Sequence, residues 1–173
     1  MINSWDELFI KQAMLIAEKS KDPSTKVGCV IVGDGNAVLS MGFNGFPRGV
    51  IEDQYDWLIK LKRSAQALSE VPFTRWDRPD KYSWTEHAER NAVYNAARNG
   101  IRLAGARMYL NFEPMAMCAD CTRAMIQSGI KEIIGPDIPF AGKGAGTHYH
   151  LSYSGQMLEE AGVKVRIVKW SKE

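Results

Sequence analysis

The sequence contains no long apolar run, no cluster of basic residues and few cysteines. Because it lacks a stretch of about 18 consecutive apolar residues, we expect no membrane-spanning segment. Its first residues, MINSWDELFI, lack the basic region and the apolar core of a secretory signal. The three cysteines are an odd number, which argues against a disulfide framework in a chain without an export signal. We therefore expect a cytoplasmic protein with no membrane partner.

The sequence also lacks an excess of charge of either sign, since the formal net charge is only +2. A balance this mild does not indicate a dedicated nucleic-acid surface, so we expect no nucleic acid as a partner. It is compatible with a binding site for a small anion. The 173 residues, of which 45% are hydrophobic, suffice for one domain with a full core. We predict a single domain over residues 1–173.

Helical and strand patterns alternate along the chain. Ser4, followed three residues later by Glu7, forms a capping-box signal that predicts a helix over residues 5–19. Two apolar runs, 27–32 and 37–42, flank the turn sequence GDGN and predict a β-hairpin. Residues 45–85 are less regular, and we predict an insert there that holds an amphipathic helix near residues 57–68.

The second half of the chain continues the alternation. Thr85 is a candidate cap for a helix over residues 86–99, which Gly100 would end. The remaining patterns predict a strand at 107–112, a helix at 119–128, a strand at 130–134, a helix at 154–161 and a strand at 163–170. This order predicts the α/β class, in a three-layer α-β-α fold with a five-stranded mixed sheet. The last two strands should be parallel, because a helix joins them.

Two short motifs carry the chemistry. His87 and Glu89 are followed, 29 residues after Glu89, by Cys118 and Cys121. Each motif is weak alone, because a lone His is usually a surface or core residue and a lone CxxC can be a redox or core pair. Together they offer three zinc ligands and leave a fourth position for water, which is typical of catalytic rather than structural zinc. We predict one catalytic Zn²⁺ per chain on His87, Cys118 and Cys121.

Glu89 is the candidate proton carrier. A zinc ion can lower the pKa of its bound water to about 7, and a hydrolysis then needs a group that moves the proton. Glu89 lies two residues past His87, beside the predicted metal rather than on it. The plainer explanation is a first-turn carboxylate that stabilises the helix dipole. We predict that Glu89 is catalytic.

With these motifs the chain resembles the zinc nucleobase deaminases, whose signature is His-x-Glu followed by Pro-Cys-x-x-Cys. Within that superfamily it resembles the deoxycytidylate (dCMP) deaminases. The segments that carry the resemblance are DPSTKVG at 22–28, GFNGFPRG at 42–49, HAERNA at 87–92, QSGI at 127–130 and AGVKV at 161–165. The resemblance spans nearly the whole chain. It implies a cytidine-deaminase-like fold and a hydrolase that converts dCMP to dUMP and ammonia.

One departure from the signature leaves two registers to weigh. The family usually has Pro directly before the first Cys, whereas this chain has Met117 there and Pro114 further back. In one register Met115 has replaced the first zinc Cys, as a comparison with the EPCxMC motif of tRNA adenosine deaminases suggests. In the other register the Cys pair is intact and the preceding loop is longer. Cys121 lies at the family's distance from the SGI segment, so we assign the zinc to Cys118 and Cys121.

The resemblance also implies binding residues. The matching Asn of the superfamily binds the sugar hydroxyl, which assigns that role to Asn44, although an Asn before Gly is also an ordinary turn residue. Ala88 and Tyr153 are further candidates for substrate contact. In regulated dCMP deaminases the same loop binds dCTP or dTTP between subunits of a homo-oligomer, which we expect to be a hexamer. The candidate effector residues are Gly42, Phe43, Asn44, Gly45, Arg48 and Lys26.

Other polar and aromatic residues allow weaker hypotheses. His148 and His150 are candidates for a second metal site, though such pairs usually lie in solvated loops. Phe140 and Tyr149 are alternatives to Tyr153 as the aromatic that stacks on the base. These aromatics flank the glycine-rich segment 141–146, which we interpret as a mobile loop. Arg75 and Arg78 join Arg48 and Lys26 as candidates for phosphate contacts.

Three alternatives to a dCMP deaminase stay open at this point. A deaminase of a 5-modified dCMP or of dCTP would explain the methionine-rich segment before Cys118. A deaminase of tRNA or single-stranded DNA would explain the EPxxMC pattern but calls for a basic channel. A structural zinc module would use the same ligands but has no need of Glu89.

Overall fold

The computed structural model describes residues 4–51, 75–140 and 150–170. These residues belong to two compact units, the first formed by Met1–Asn44 and His87–Glu173 and the second by Gly45–Glu86. That the whole chain is one domain stays a prediction. The helix predicted near residues 57–68, the segment 141–146, His148 and Tyr149 lie outside the described residues.

The first unit alternates helices and strands, in this order. It contains helix α1 (Trp5–Ala17), strands β1 (Gly28–Val32) and β2 (Val38–Phe43), helix α3 (Ala88–Arg98), strand β3 (Arg107–Leu110), helix α4 (Ala119–Gln127), strand β4 (Glu132–Pro136), helix α5 (Leu151–Glu160) and strand β5 (Lys164–Val168). Short 3₁₀ turns cover Asp34–Asn36 and Pro114–Ala116. The described part of the second unit contains the short helix α2 (Lys81–Trp84).

The five strands form one mixed sheet in the order β2-β1-β3-β4-β5. Strand β1 pairs antiparallel with both β2 and β3, whereas β3, β4 and β5 run parallel. The predicted five-stranded mixed sheet and its parallel last pair are therefore confirmed. Both parallel connections contain a helix, as a crossover between parallel strands requires.

Alternate residues of the central strands face opposite layers of helices. Helix α1 packs on one face, where Phe9, Ile10 and Ala13 meet Val30 and Tyr109. Helices α3, α4 and α5 cover the other face and pack against the intervening strand residues, which are Cys29, Ile31, Met108, Leu110 and Ile133. Strand side chains alternate between the two faces of a sheet, so this division gives the predicted three layers.

Two glycines let helices lie directly on the sheet. A Cβ added to Gly42 on β2 would lie 2.4 Å from both the Ala88 carbonyl oxygen and the Ala92 nitrogen of α3. A Cβ added to Gly28 on β1 would lie 2.0 Å from the Ala13 carbonyl oxygen of α1. The backbones of strand and helix therefore touch at both places, and no other residue fits there without moving the helix.

Several predicted boundaries need correction. The Ser4 hydroxyl accepts a hydrogen bond from the Glu7 N–H at 3.1 Å, as predicted, but the helix ends at Ala17 rather than at residue 19. The Thr85 cap is wrong, because the Thr85 hydroxyl donates to the Lys81 carbonyl of α2 and His87 is the residue before α3. Helix α5 begins at Leu151, three residues before the predicted start, after a left-handed His150.

None of the helices in the described ranges is both long enough and apolar enough to cross a membrane.

A charged cluster ties α1 to the parallel strands. Asp6, in the first turn of α1, accepts hydrogen bonds at 2.9 Å from Arg166 of β5 and from the Tyr109 hydroxyl of β3. Arg166 also donates to Glu132 of β4 at 3.1 Å. The hydrogen bond from Arg166 is the main reason why the pKa of Asp6 lies below its ordinary value, although burial opposes this shift. The ionised carboxylate of Asp6 therefore stabilises the folded state.

We expect Asp6→Asn to lower the free energy of unfolding at pH 7 by about 1 kcal/mol, allowing for partial exposure of the carboxylate. The carboxylate has a lowered pKa in the folded state, so its contribution is present above its unfolded value of 3.8. That contribution disappears as the pH falls through the folded pKa. The difference between wild type and variant should therefore shrink below about pH 4 in urea unfolding at several pH values.

Glu7→Gln is the matched control for this experiment. It removes a carboxylate from the same helical turn, where the Glu7 side chain pairs with Lys11 at 3.1 Å across one turn. Such surface pairs contribute little to stability. A difference for Asp6→Asn that stays constant between neutral and acid pH would contradict this explanation of the cluster.

Candidate metal centre

Two helix starts bring the candidate ligands together. His87 directly precedes α3 and Cys118 directly precedes α4, and both have extended backbone angles. The Cys121 N–H, in the first turn of α4, donates to the Cys118 sulfur at 3.4 Å. Unpaired N–H groups at helix starts stabilise negative charge, which favours thiolates at this end of α4.

The three side chains form a compact donor set. His87 Nδ1 lies 3.3 Å from Cys118 Sγ and 3.4 Å from Cys121 Sγ. All three ligand atoms lie within 4.8 Å of one another, and both cysteines are buried. Tetrahedral nitrogen and sulfur ligands of zinc lie about 3.6 Å apart, so the spacing and chemistry of the set fit this metal. The geometry also shows that His87 offers its Nδ1 atom.

The positions of the side chains favour the intact-pair register. Cys118 and Cys121 both face His87, as the intact-pair register requires. Met115 lies in the 3₁₀ turn before α4 and is 44% exposed. Met117, directly before Cys118, is buried. The methionine-rich segment therefore continues into the core beside the donor set.

Glu89 is a buried carboxylate beside this donor set. It lies in the first turn of α3, is only 3% exposed, and its Oε2 atom has no hydrogen-bond partner among the described residues. Burial raises its pKa above the ordinary value and the Cys118 charge adds to this rise, while His87 acts in the opposite direction. A buried carboxylate with an oxygen that has no hydrogen-bond partner is costly. Such a cost is typical of functional sites.

The pKa values of the two thiols are shifted in opposite directions. The hydrogen bond with Cys121 lowers the pKa of Cys118 to about 4, and the hydrogen bond and charge of His87 add to that effect although burial opposes it. Burial raises the pKa of Cys121 well above its ordinary value. Burial and then the charge of Glu89 do the same for Cys29 of β1, which is a core residue. A divalent cation would compensate the second thiolate.

Asn44 directly follows β2 and is almost fully enclosed, with 7% of its surface exposed. Its side-chain oxygen accepts from the Val27 N–H at 2.8 Å. Its side-chain nitrogen donates to Asp22 and to the Thr25 carbonyl, both at 2.9 Å. The amide therefore holds the loop between α1 and β1 against the end of β2, a use that the sequence did not reveal.

The other predicted binding residues lie in varied surroundings. Ala88 is buried at the start of α3, and Gly42 is buried beneath the same helix. Phe43 is exposed, as is Lys26. Gly45 and the exposed Arg48 belong to the second unit. Arg75 and Arg78 also belong to it, and the guanidinium of Arg75 stacks on Trp84. Tyr153 on α5 is exposed and stacks on His150, and Phe140 packs against Phe112.

One ion pair near the site was missed by the sequence analysis. Arg90, directly after Glu89, lies 3.5 Å from Asp120, which stands between the two cysteines. The pair links the first turns of α3 and α4. No linear pattern signals this contact, because the two residues are 30 positions apart and each resembles an ordinary surface charge.

Fold and donor set together define a class, the zinc-binding deaminases of nucleobases. A family model described as "Cytidine and deoxycytidylate deaminase zinc-binding region" matches residues 3–135, and the chain therefore belongs to that family. The resemblance noted in the sequence is thereby confirmed.

Individual relatives agree with this assignment. A probable deoxycytidylate deaminase of Drosophila melanogaster is 36% identical over 130 residues, which cover 75% of this chain and 58% of the relative. The deoxycytidylate deaminase of Enterobacteria phage T4 is 33% identical over 143 residues, which cover 70% of this chain and 72% of the relative. The chain thus spans less than two thirds of the animal relative's length.

A solved structure with a similar fold is the dCMP deaminase of cyanophage S-TIM5 in complex with dCMP and dUMP. The TM-score is 0.63 at 22% identity, and the match covers 97% of this chain and 99% of that one. This likeness supports the fold, including its mixed sheet.

We expect the purified chain to hold a single zinc ion and Cys118→Ser or Cys121→Ser to lose it, because each removes one of three ligands. Met115→Leu is the matched control, since it alters the residue of the rejected register and should leave the metal content unchanged. Elemental analysis after gel filtration measures the metal. Full zinc content in Cys118→Ser would overturn the chosen register.

Proposed function

We propose that the chain hydrolyses dCMP to dUMP and ammonia. The observation that carries this proposal is the buried carboxylate of Glu89 beside the donor set of His87, Cys118 and Cys121, with its Oε2 atom unpartnered among the described residues. A structural zinc site has no use for such a carboxylate, which disfavours that alternative. Membership of the family and the relatives named deoxycytidylate deaminases support dCMP as the substrate.

The donor set would hold one catalytic zinc ion per chain. When bound, zinc supplies the Lewis acidity that makes water a nucleophile near neutral pH. His87 would bind through Nδ1, and Cys118 and Cys121 through their sulfurs. The start of α4 would stabilise the charge of the thiolates.

Glu89 moves the protons of the reaction. Water adds its oxygen to C4 of the base and loses both protons, while the amino group leaves as ammonia. The Oε2 atom of Glu89, which has no partner among the described residues, carries one proton of the water to N3, where it remains in dUMP, and the second to the departing nitrogen, which leaves as ammonia. Burial raises the pKa of this carboxyl. The raised pKa suits a group that is protonated and deprotonated in each cycle.

Three residues are proposed to hold the nucleotide. The Ala88 N–H stands at the first position of α3, where a helix leaves its N–H groups without internal partners, and we assign it to the pyrimidine. Asn44 uses one lone pair of its side-chain oxygen for Val27, and the second is assigned to a sugar hydroxyl. Tyr153, 60% exposed, is the candidate to stack on the base.

Regulation and assembly belong to the same proposal. The chain is proposed to form a homo-oligomer, a hexamer by analogy, whose activity responds to dCTP and dTTP. Exposed Phe43, together with Gly45, which has open space beside it, supports a loop that can receive a nucleotide base. Exposed Lys26 and Arg48 are candidates for contacts with the phosphates.

Glu89→Gln should keep the zinc and the fold but lower kcat by about 10²–10⁴-fold, because the amide cannot accept the proton. Ammonia release from dCMP measures the rate, and elemental analysis confirms that the metal is retained. Glu86→Gln, three residues earlier, is the matched control and should stay close to wild type. A Glu89→Gln variant as active as wild type would contradict the catalytic role of Glu89 and favour a structural zinc module instead.

The substrate curve should reveal both the preferred nucleotide and its regulation. We expect dCMP to be turned over far better than deoxycytidine, because charged side chains recognise the phosphate. The dCMP saturation curve should be sigmoidal, become hyperbolic with dCTP and be suppressed by dTTP, through a coupling of about 1–3 kcal/mol between sites. Titrations with each triphosphate, together with light scattering for the mass, measure these effects.

A panel with deoxycytidine, dCTP, 5-methyl-dCMP and a tRNA separates the alternatives. Equal kcat/KM for dCMP and deoxycytidine would contradict the monophosphate assignment, and a preference for 5-methyl-dCMP would move the substrate to a 5-modified nucleotide. Hyperbolic kinetics that neither triphosphate changes would remove the regulatory part of the proposal.

A further inference from the structure

Two asparagines of α3 bond to the outer edge of β2. Asn91 Nδ2 donates to the Phe43 carbonyl at 2.8 Å, and Asn95 Nδ2 donates to the Met41 carbonyl at 2.7 Å. Among the described strands, β2 is an edge strand, with β1 as its only neighbour. Carbonyls of alternate residues point to the same side of a strand, so both asparagines occupy the side away from β1. They satisfy backbone groups that an edge strand otherwise leaves open.

The hydrogen bond made by Asn91 fixes the peptide that precedes Asn44, whereas the bond made by Asn95 does not reach it. The Phe43–Asn44 peptide is held on both sides, because its carbonyl accepts from Asn91 and its N–H donates to the Val27 carbonyl at 3.2 Å. A peptide unit is planar, so fixing both polar atoms fixes the direction in which the chain enters Asn44. The Asn91 N–H in turn bonds to the His87 carbonyl at 2.9 Å. Asn91 thus links the turn that carries His87 and Glu89 to Asn44.

We propose that Asn91 is a positioning residue, which sets Asn44 at a fixed distance from the turn at residues 87–89. This inference rests on the proposed function, in which Asn44 contacts the sugar and Glu89 serves the base of one nucleotide. A bound substrate spans both groups, so their separation decides whether the base lies at the donor set when the sugar is bound. Asn91 acts through Asn44 and contacts no reacting atom.

Asn95 supplies a matched control within the same helix. It makes the same kind of bond to the same strand one turn further along α3, at a carbonyl two residues before that of Phe43. The remaining contacts between α3 and β2 do not depend on either asparagine. They include the Ser40 hydroxyl, which donates to the Ala92 carbonyl at 2.7 Å, and the close approach at Gly42. Each variant should therefore retain the packing of the helix.

The experiment compares Asn91→Ala with Asn95→Ala in the zinc-loaded protein. Both should lower the urea midpoint, because each loses its exposed hydrogen bond to the edge of β2. Asn91→Ala should lower kcat for dCMP about 10- to 100-fold through misplacement of the substrate. Asn95→Ala should stay within about twofold of wild type, as surface substitutions usually do. Amide hydrogen exchange at Asn44 should become faster in Asn91→Ala alone.

Each outcome decides the inference. Equal losses of kcat in the two variants, or unchanged exchange at Asn44 in Asn91→Ala, would overturn it. If Asn91→Ala does not fold, Asn91→Asp and Asn95→Asp replace the pair, because they keep the size of the side chain and lose the donor. A wild-type chain that does not turn over dCMP would contradict the proposed function, while the exchange comparison would still decide whether Asn91 holds the peptide before Asn44.

Discussion

The direct contact between the backbones of β2 and α3 is the constraint on which the site depends. Gly42 makes it possible, because a Cβ there would lie 2.4 Å from two backbone atoms of α3. His87 directly precedes that helix and Glu89 lies in its first turn, so the sheet on which α3 rests determines the positions of both side chains. The cysteines lie at the start of α4, which packs on the same face of the sheet. A methyl group at position 42 would push α3 away from the sheet and move His87 relative to both cysteine sulfurs. We therefore expect a substitution of Gly42 to disturb the donor set.

Two buried ionisable groups in unfavourable surroundings, Glu89 and Cys121, lie beside the same helix starts. Glu89 is buried, and one of its oxygens has no partner in the part of the chain that the structure describes. Burial raises the pKa of Cys121 beside Cys118, whose pKa is lowered. Burial of such groups opposes folding unless a partner compensates their charge. A divalent cation on His87 and the two sulfurs would provide that compensation. The electrostatics of the site are thus compatible with the cation that the ligand geometry favours.

The sequence predicted what local patterns determine and missed what distant contacts determine. The spacing of HAE and CxxC identified a donor set that the structure brings together, and the alternation of patterns predicted the sheet. Thr85 was assigned as a cap because it precedes a helical pattern, but its hydroxyl bonds back to Lys81 of a short helix. The partners of Asn44 and the Arg90–Asp120 pair come from residues 17 or more positions away, which a pattern of single residues cannot indicate.

The contact at Gly42 seats α3 on the sheet, and α3 and α4 together present the three-ligand donor set and the buried carboxylate of Glu89. In the proposed hydrolysis of dCMP, the oxygen added at C4 comes from water. Incubation of the zinc-loaded chain with dCMP in ¹⁸O-labelled water, followed by mass spectrometry, tests this step. We expect dUMP that carries a solvent oxygen at C4, with one ammonia released for each dUMP. Unchanged dCMP, or dUMP without the label, would contradict the proposed hydrolysis.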